Sequence, residues 1–129
     1  MSDRQRVSSG AVWEESVGYS RAVRVRDHVW VAGTTAAGSN GDPVGGDDAY
    51  AQTREALRRV VAALAEVGAS PADVVRTRMY VTDIAFWAEV GRAHGEVFGD
   101  VRPVATMLEV SALIDRRLVV EVEAEAVLG

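Results

Sequence analysis

Alternation of apolar and polar positions is clearest near the C-terminus. There, Leu118-Val119-Val120-Glu121-Val122-Glu123-Ala124-Glu125-Ala126-Val127-Leu128 places apolar residues at even positions and carboxylates at 121, 123 and 125. A period of two is the mark of a strand with one face on a core. The three carboxylates then line the other face, roughly 7 Å apart. Two uses of that face are open: a solvated sheet surface, or a cleft in which a carboxylate serves as a general base, its pKa raised by like-charged neighbours.

Upstream, Tyr19 to Val25 reads as a strand, Arg26-Asp27 as a tight turn and His28 to Ala32 as the hairpin partner, ended by Gly33. Before it, Val7 to Gly10 and Val12-Trp13 have the composition of a short edge strand. From Gly33 to Asp48 the chain carries five glycines and a proline, a loop with the composition of a mobile lid. Its glycines lack the spacing of a phosphate cradle. Asp47 or Asp48 caps a helix from Tyr50 to Val67, whose stripe is Leu57, Val60, Val61, Leu64 and Val67, and Gly68 stops it. Ser70-Pro71-Ala72-Asp73 makes one helical turn. Val74 to Val81 is a strand in which Val75, Thr77, Met79 and Val81 alternate with Arg76, Arg78 and Tyr80. Thr82 or Asp83 caps a second helix with the stripe Trp87, Val90, His94, Val97 and Phe98, closed by Gly99. Ala105 to Val110 is a further strand, and a loop through Asp115-Arg116-Arg117 leads to the acidic one.

Two helices can cover only one face of such a sheet. The other face, mixed apolar and charged, suits self-association into a closed ring of subunits with clefts between them. Which of Arg76/Arg78 or Thr77/Met79 shares it with Glu121 depends on register.

At 129 residues the chain is read as a single domain, 1–129, large enough for its own core. The absence of cysteine excludes thiolate nucleophiles, disulfides and cysteine-ligated metals. With two histidines on separate elements and no ligand spacing among the acids, no metal site is expected. A net charge of −5 argues against broad nucleic-acid binding. No apolar run approaches a membrane span, and Met1 to Arg6 lacks the apolar centre of a signal peptide, so a cytoplasmic protein is expected. His94 reads as a core or rim histidine, His28 as a strand-edge residue, and Trp13, Trp30 and Trp87 as core or interface packing, with stacking on a planar ligand the alternative for one near the cleft. Arg76, Arg78 and Arg102 read as surface ion-pairing residues.

The order and spacing of several short pieces resemble the reactive-intermediate deaminase family, RidA or YjgF, known in older usage as endoribonuclease L-PSP. The pieces are Gly18-Tyr19-Ser20, Val31-Ala32-Gly33, Tyr50-Ala51-Gln52-Thr53, Val67-Gly68-Ala69, Asp73-Val74-Val75, Val81-Thr82-Asp83-Ile84, Phe98, Arg102-Pro103, Glu109-Val110 and Val120-Glu121-Val122-Glu123-Ala124. The resemblance implies a chorismate-mutase-like α+β subunit: a mixed six-stranded sheet with two helices on one face. It further implies a homotrimer with ligand clefts between neighbours, and cofactor-free hydrolysis of enamine and imine intermediates to keto acids.

In that chemistry an arginine two residues past a proline clamps the substrate carboxylate, and a last-strand glutamate positions water. Glu121 stands at the glutamate position and Tyr19 at the cleft-edge tyrosine. Departures are Ala105 in place of the arginine, Met107 in place of a cysteine, Gly91 in place of a helix asparagine, and Thr34 in place of a polar residue after the strand-ending glycine. The expected function is binding of a small metabolite in inter-subunit clefts, with Glu121 as base and Tyr19, Thr34, Ala105, Met107 and Gly91 around the ligand. The alternative is a non-catalytic ligand-sensing or protein-interaction trimer.

Overall fold

A computed structural model describes residues 3–129. Met1 and Ser2, part of the stretch read for a leader, lie outside the described residues. Six strands and two long helices follow in the order β1 (Arg4–Val7), β2 (Ala22–Val25), β3 (His28–Thr34), α1 (Ala49–Glu66), β4 (Val74–Val81), α2 (Trp87–Phe98), β5 (Val104–Glu109) and β6 (Val120–Val127). They form one mixed sheet ordered β1-β2-β3-β6-β4-β5, in which, among the described residues, only β4 and β5 run parallel. The acidic strand therefore sits at the centre, between β3 and β4.

Alternation along β6 is realised residue by residue. Val120, Val122, Ala124 and Ala126 are buried under the helices, while Glu121, Glu123 and Glu125 point to the other face and are half-buried. In α1, Ala56, Leu57, Val60, Ala63 and Leu64 make the buried stripe and close the core over β3 and β6. Asp48 caps this helix, its carboxylate accepting from the Ala51 N–H. Gly68 follows the helix at φ +83°, a left-handed position that glycine takes without strain. The Ser70–Asp73 turn forms as read, the Ser70 N–H donating to the Asp73 carboxylate at 2.9 Å.

Register, which the chain alone left open, places Arg76, Arg78 and Tyr80 beside Glu125, Glu123 and Glu121 on the open face. Thr77 and Met79 go to the core.

Several expectations are corrected. The first strand is Arg4–Val7, and Val12-Trp13 is helical rather than extended, because the chain turns there so that Glu14 folds back onto Ser8 and Ser9. The β2 strand begins at Ala22, and β3 continues past Gly33 to Thr34. Val75 is exposed, because an irregularity between Val74 and Arg76 shifts the pairing with β6. Trp87, expected on the stripe of α2, is 63% exposed, and Phe86 packs against the core in its place. No helix among the described residues is long and apolar enough to cross a membrane.

Candidate functional site around Glu121

On β6 the three carboxylates are chemically distinct because their cross-strand neighbours differ. Glu125 faces Arg76 and Arg78, at 3.6 and 3.5 Å. Glu123 accepts a short hydrogen bond from the Tyr80 hydroxyl, which holds the tyrosine pKa above its ordinary value. Glu121 has no hydrogen-bond donor among the described residues. Burial raises its pKa above 4.5; the Coulomb pull of Arg21 opposes this and the charge of Glu123 adds to it. An under-solvated carboxylate without a donor is poised to exchange a proton.

Glu121 and Glu123 line a cavity of about 310 Å³ together with Gly33, Tyr80, Val110, Ala112 and Leu113. Its wall on the β3 side is a β-bulge. Val31 pairs with Ala124 and Thr34 with Val122, so Ala32 and Gly33 oppose the single residue Glu123. The bulge brings Gly33 hard against Glu121: a Cβ built on Gly33 would stand 2.3 Å from Oε2. Only hydrogen fits there while the Glu121 side chain holds this position.

This contact carries a prediction. The φ of Gly33 lies outside the left-handed region, so alanine is allowed by the backbone, and the obstructing atoms belong to a movable side chain. Gly33→Ala is expected to melt close to wild type while lowering any Glu121-dependent rate by about ten- to a hundredfold, since a displacement near 1 Å costs that order. Thermal melts and steady-state kinetics check the two halves.

Behind the bulge lies a group to which the sequence reading assigned no role. The Arg21 guanidinium donates through Nη1 to the Gly33 carbonyl at 2.5 Å, the Thr34 hydroxyl at 3.0 Å and the Ala32 carbonyl at 3.4 Å. Its Nε stands 3.7 Å from the Glu14 carboxylate, and both side chains are nearly buried, at 12% and 6% exposure. Burial alone would raise the Glu14 pKa. Hydrogen bonds from Ser9 and Ser8, with the charge of Arg21, outweigh it and hold the group below its ordinary value. No local pattern in the sequence joins residues 14, 21 and 33.

The residues expected around a ligand fall on both faces of the sheet. Tyr19 is partly exposed, its ring centroid 5.7 Å from the guanidinium carbon of Arg21. Thr34 pairs with Val122 on the core side, and its buried hydroxyl is taken by Arg21 and the Ala32 carbonyl. Ala105 and Met107 pair with Thr77 and Met79, so they lie on the helix side of edge strand β5. Gly91 sits within α2, with open space around its Cα. One subunit thus brings together Glu121, Gly33 and Tyr80, with Arg21 and Tyr19 behind, and leaves Ala105, Met107 and Gly91 apart.

The histidines also part company. His28 stacks on Trp30 at 5.6 Å on the open face. His94 shares a 2.8 Å hydrogen bond with buried Thr77 on the helix side, and burial lowers its pKa below 6.5. Among the described residues, no group of three or more histidine, cysteine, aspartate or glutamate side chains could hold a metal ion.

Fold and sequence place the chain among known proteins. The model of the family described as Endoribonuclease L-PSP matches residues 12–128, and the chain belongs to this family, the RidA/YjgF proteins. A crystal structure of a Mycobacterium tuberculosis member of the highly conserved YjgF/YER057c/UK114 family superposes with a TM-score of 0.88 at 55% identity, over 97% of this chain and 99% of that one. An uncharacterised Streptomyces coelicolor protein is 48% identical over 97% of this chain and 92% of its own length. The 3-aminoacrylate deaminase RutC of Acinetobacter baylyi is 29% identical over 71% of this chain and 73% of its own.

Proposed function

We propose that the protein binds a small enamine, imine or related carbonyl-type metabolite and hydrolyses it with Glu121 as the proton-transfer group. The observation that carries this reading is the state of Glu121: of the three β6 carboxylates, only this one meets the cavity without a hydrogen-bond donor among the described residues. Its raised pKa suits both halves of the reaction. Protonated, it delivers a proton to the enamine carbon, giving an iminium ion. Ionised again, it takes a proton from the water that adds to the C=N carbon and returns it to the nitrogen of the carbinolamine, which loses its hydroxyl proton as ammonia leaves and the carbonyl compound forms. Water is the only co-reactant. The name of the Acinetobacter relative, a 3-aminoacrylate deaminase, agrees with an enamine substrate.

Within this reading the subunits form a homotrimer. Trp30 and Val104, 45% and 61% exposed, share the open face with Val23 and Leu108. Such a face is covered at low cost by another copy of the chain. A neighbour's β5 edge would then bring Ala105 and Met107 towards the Glu121 cavity. Alanine at 105 offers no bidentate grip on a carboxylate, and Arg76 and Arg78 are engaged by Glu125. Loss of such a clamp costs about two orders of magnitude in affinity.

That same alanine favours a second reading, a ligand-sensing or interaction trimer without turnover. Freshly generated 2-aminoacrylate separates the two. Catalysis predicts keto-acid formation faster than in buffer. A rate equal to buffer, with metabolite-dependent thermal shifts, would leave only the second. RNA cleavage is supported by neither histidine, since His28 and His94 sit on opposite faces of the sheet.

A further inference from the structure

Arg21 does not line the cavity, yet its hydrogen bonds run to the bulge that meets Glu121. A β-bulge leaves backbone groups outside the ladder, and here the Ala32 and Gly33 carbonyls at the bulge both accept from one guanidinium nitrogen, which also reaches the Thr34 hydroxyl. The strand segment that presses Gly33 against Glu121 is therefore pinned from behind. The pin is itself anchored. Glu14 faces the guanidinium at 3.7 Å, and its carboxylate is held in turn by the Ser8 hydroxyl at 2.9 Å, the Ser9 N–H at 3.2 Å and the Ser9 hydroxyl.

A solvent-facing ion pair would be held loosely, but this one is almost fully enclosed, and such a pair persists only when its geometry is well satisfied. Lysine could keep the charge and reach the bulge with its one nitrogen, but it has no second nitrogen to set against Glu14 at the same time.

We propose that Arg21 is the positioning residue of the Glu121 site: through Glu14 on one side and the Ala32–Thr34 bulge on the other, it fixes Gly33 against the carboxylate and sets a cation behind it. This rests on the reading of Glu121 as the proton-transfer group. The charged and titratable groups around Glu121 are Arg21 from the entry to β2, Glu123 on its own strand and Tyr80 on β4, with Tyr19 and Glu14 acting through Arg21. Of these, Arg21 is the cation whose charge acts on Glu121.

The test uses the full chain in three forms, Arg21→Lys, Arg21→Gln and the double change Arg21→Gln with Glu14→Gln. The double change removes both charges, so no buried carboxylate is left unpaired if Arg21→Gln alone fails to fold. Two readouts are taken: steady-state hydrolysis of 2-aminoacrylate, and the titration of the Glu121 side chain by carboxyl carbon NMR. The proposal expects Arg21→Lys to lower kcat about tenfold with KM nearly unchanged. It expects the Glu121 midpoint to move up in Arg21→Gln or in the double variant, because a favourable charge is gone. A folded variant with an unmoved Glu121 midpoint overturns it. Should wild type not hydrolyse 2-aminoacrylate at all, the proposed reaction falls and the titration alone still decides the role of Arg21.

Discussion

Glu121→Gln is expected to lower enamine hydrolysis by roughly 10²–10⁴-fold, the usual worth of a positioned general acid–base. The change is nearly isosteric and leaves Gly33 in place, so the loss measures proton transfer rather than packing. The pH profile supplies a second signature. Water activation needs the ionised carboxylate, and burial shifts its titration above 4.5, so the acidic limb of kcat/KM is expected above that value and absent in the variant.

Stability should move the other way. A carboxyl whose folded pKa exceeds its unfolded pKa binds more protons when folded, so its contribution to stability is lost as pH rises through the folded value. At neutral pH, Glu121→Gln is therefore expected to melt no lower than wild type. An inactive variant that is also less stable would point to a structural role instead.

Gln52→Ala carries the largest expected effect on stability, about 3–5 kcal/mol. The side chain is fully buried at the start of α1, and it joins three separate segments. Its Nε2 donates to the Gly46 carbonyl at 2.7 Å and the Arg117 carbonyl at 2.9 Å, and its Oε1 accepts from the Val119 N–H at 2.9 Å. The glycine-rich loop and the β5–β6 connection are thereby tied to one helix. Truncation leaves a cavity and strands three backbone groups, each unsatisfied group costing about 1–3 kcal/mol. Gln52→Leu keeps the volume but not the bonds. It should recover only the packing part, and recovery of full stability in a urea titration would show that the hydrogen bonds matter little.

What the sequence disclosed follows from the range over which each interaction acts. The alternation of Glu121, Glu123 and Glu125 is local, and it fixes both the strand and the face that the carboxylates share. Asp48, Gly68 and Ser70-Pro71 are likewise local signals, and they mark the helix ends where the structure has them. Bulges carry no such mark. The extra residue at Ala32-Gly33 and the slip at Val75 exist only against a partner strand, and the family position that sets Thr34 near a ligand does not disclose that here it faces the core.

Trp87 fails for a related reason: an apolar stripe says which residues could be buried, while Phe86 occupies the space that exists. The differences among the three β6 carboxylates were also out of reach. Each is defined by a cross-strand partner, Arg76 and Arg78, Tyr80 or Gly33, none of them near in sequence. The Arg21–Glu14 pair belongs to the same class, since its meaning arises only where the bulge meets the turn before β2.

Sedimentation equilibrium on the full chain is the most direct check on the proposal that neighbouring copies close the open face of the sheet over Glu121. A single species with the mass of three chains is expected. A monomer at all concentrations, with the Glu121 carboxylate titrating as it would in bulk water, would contradict it.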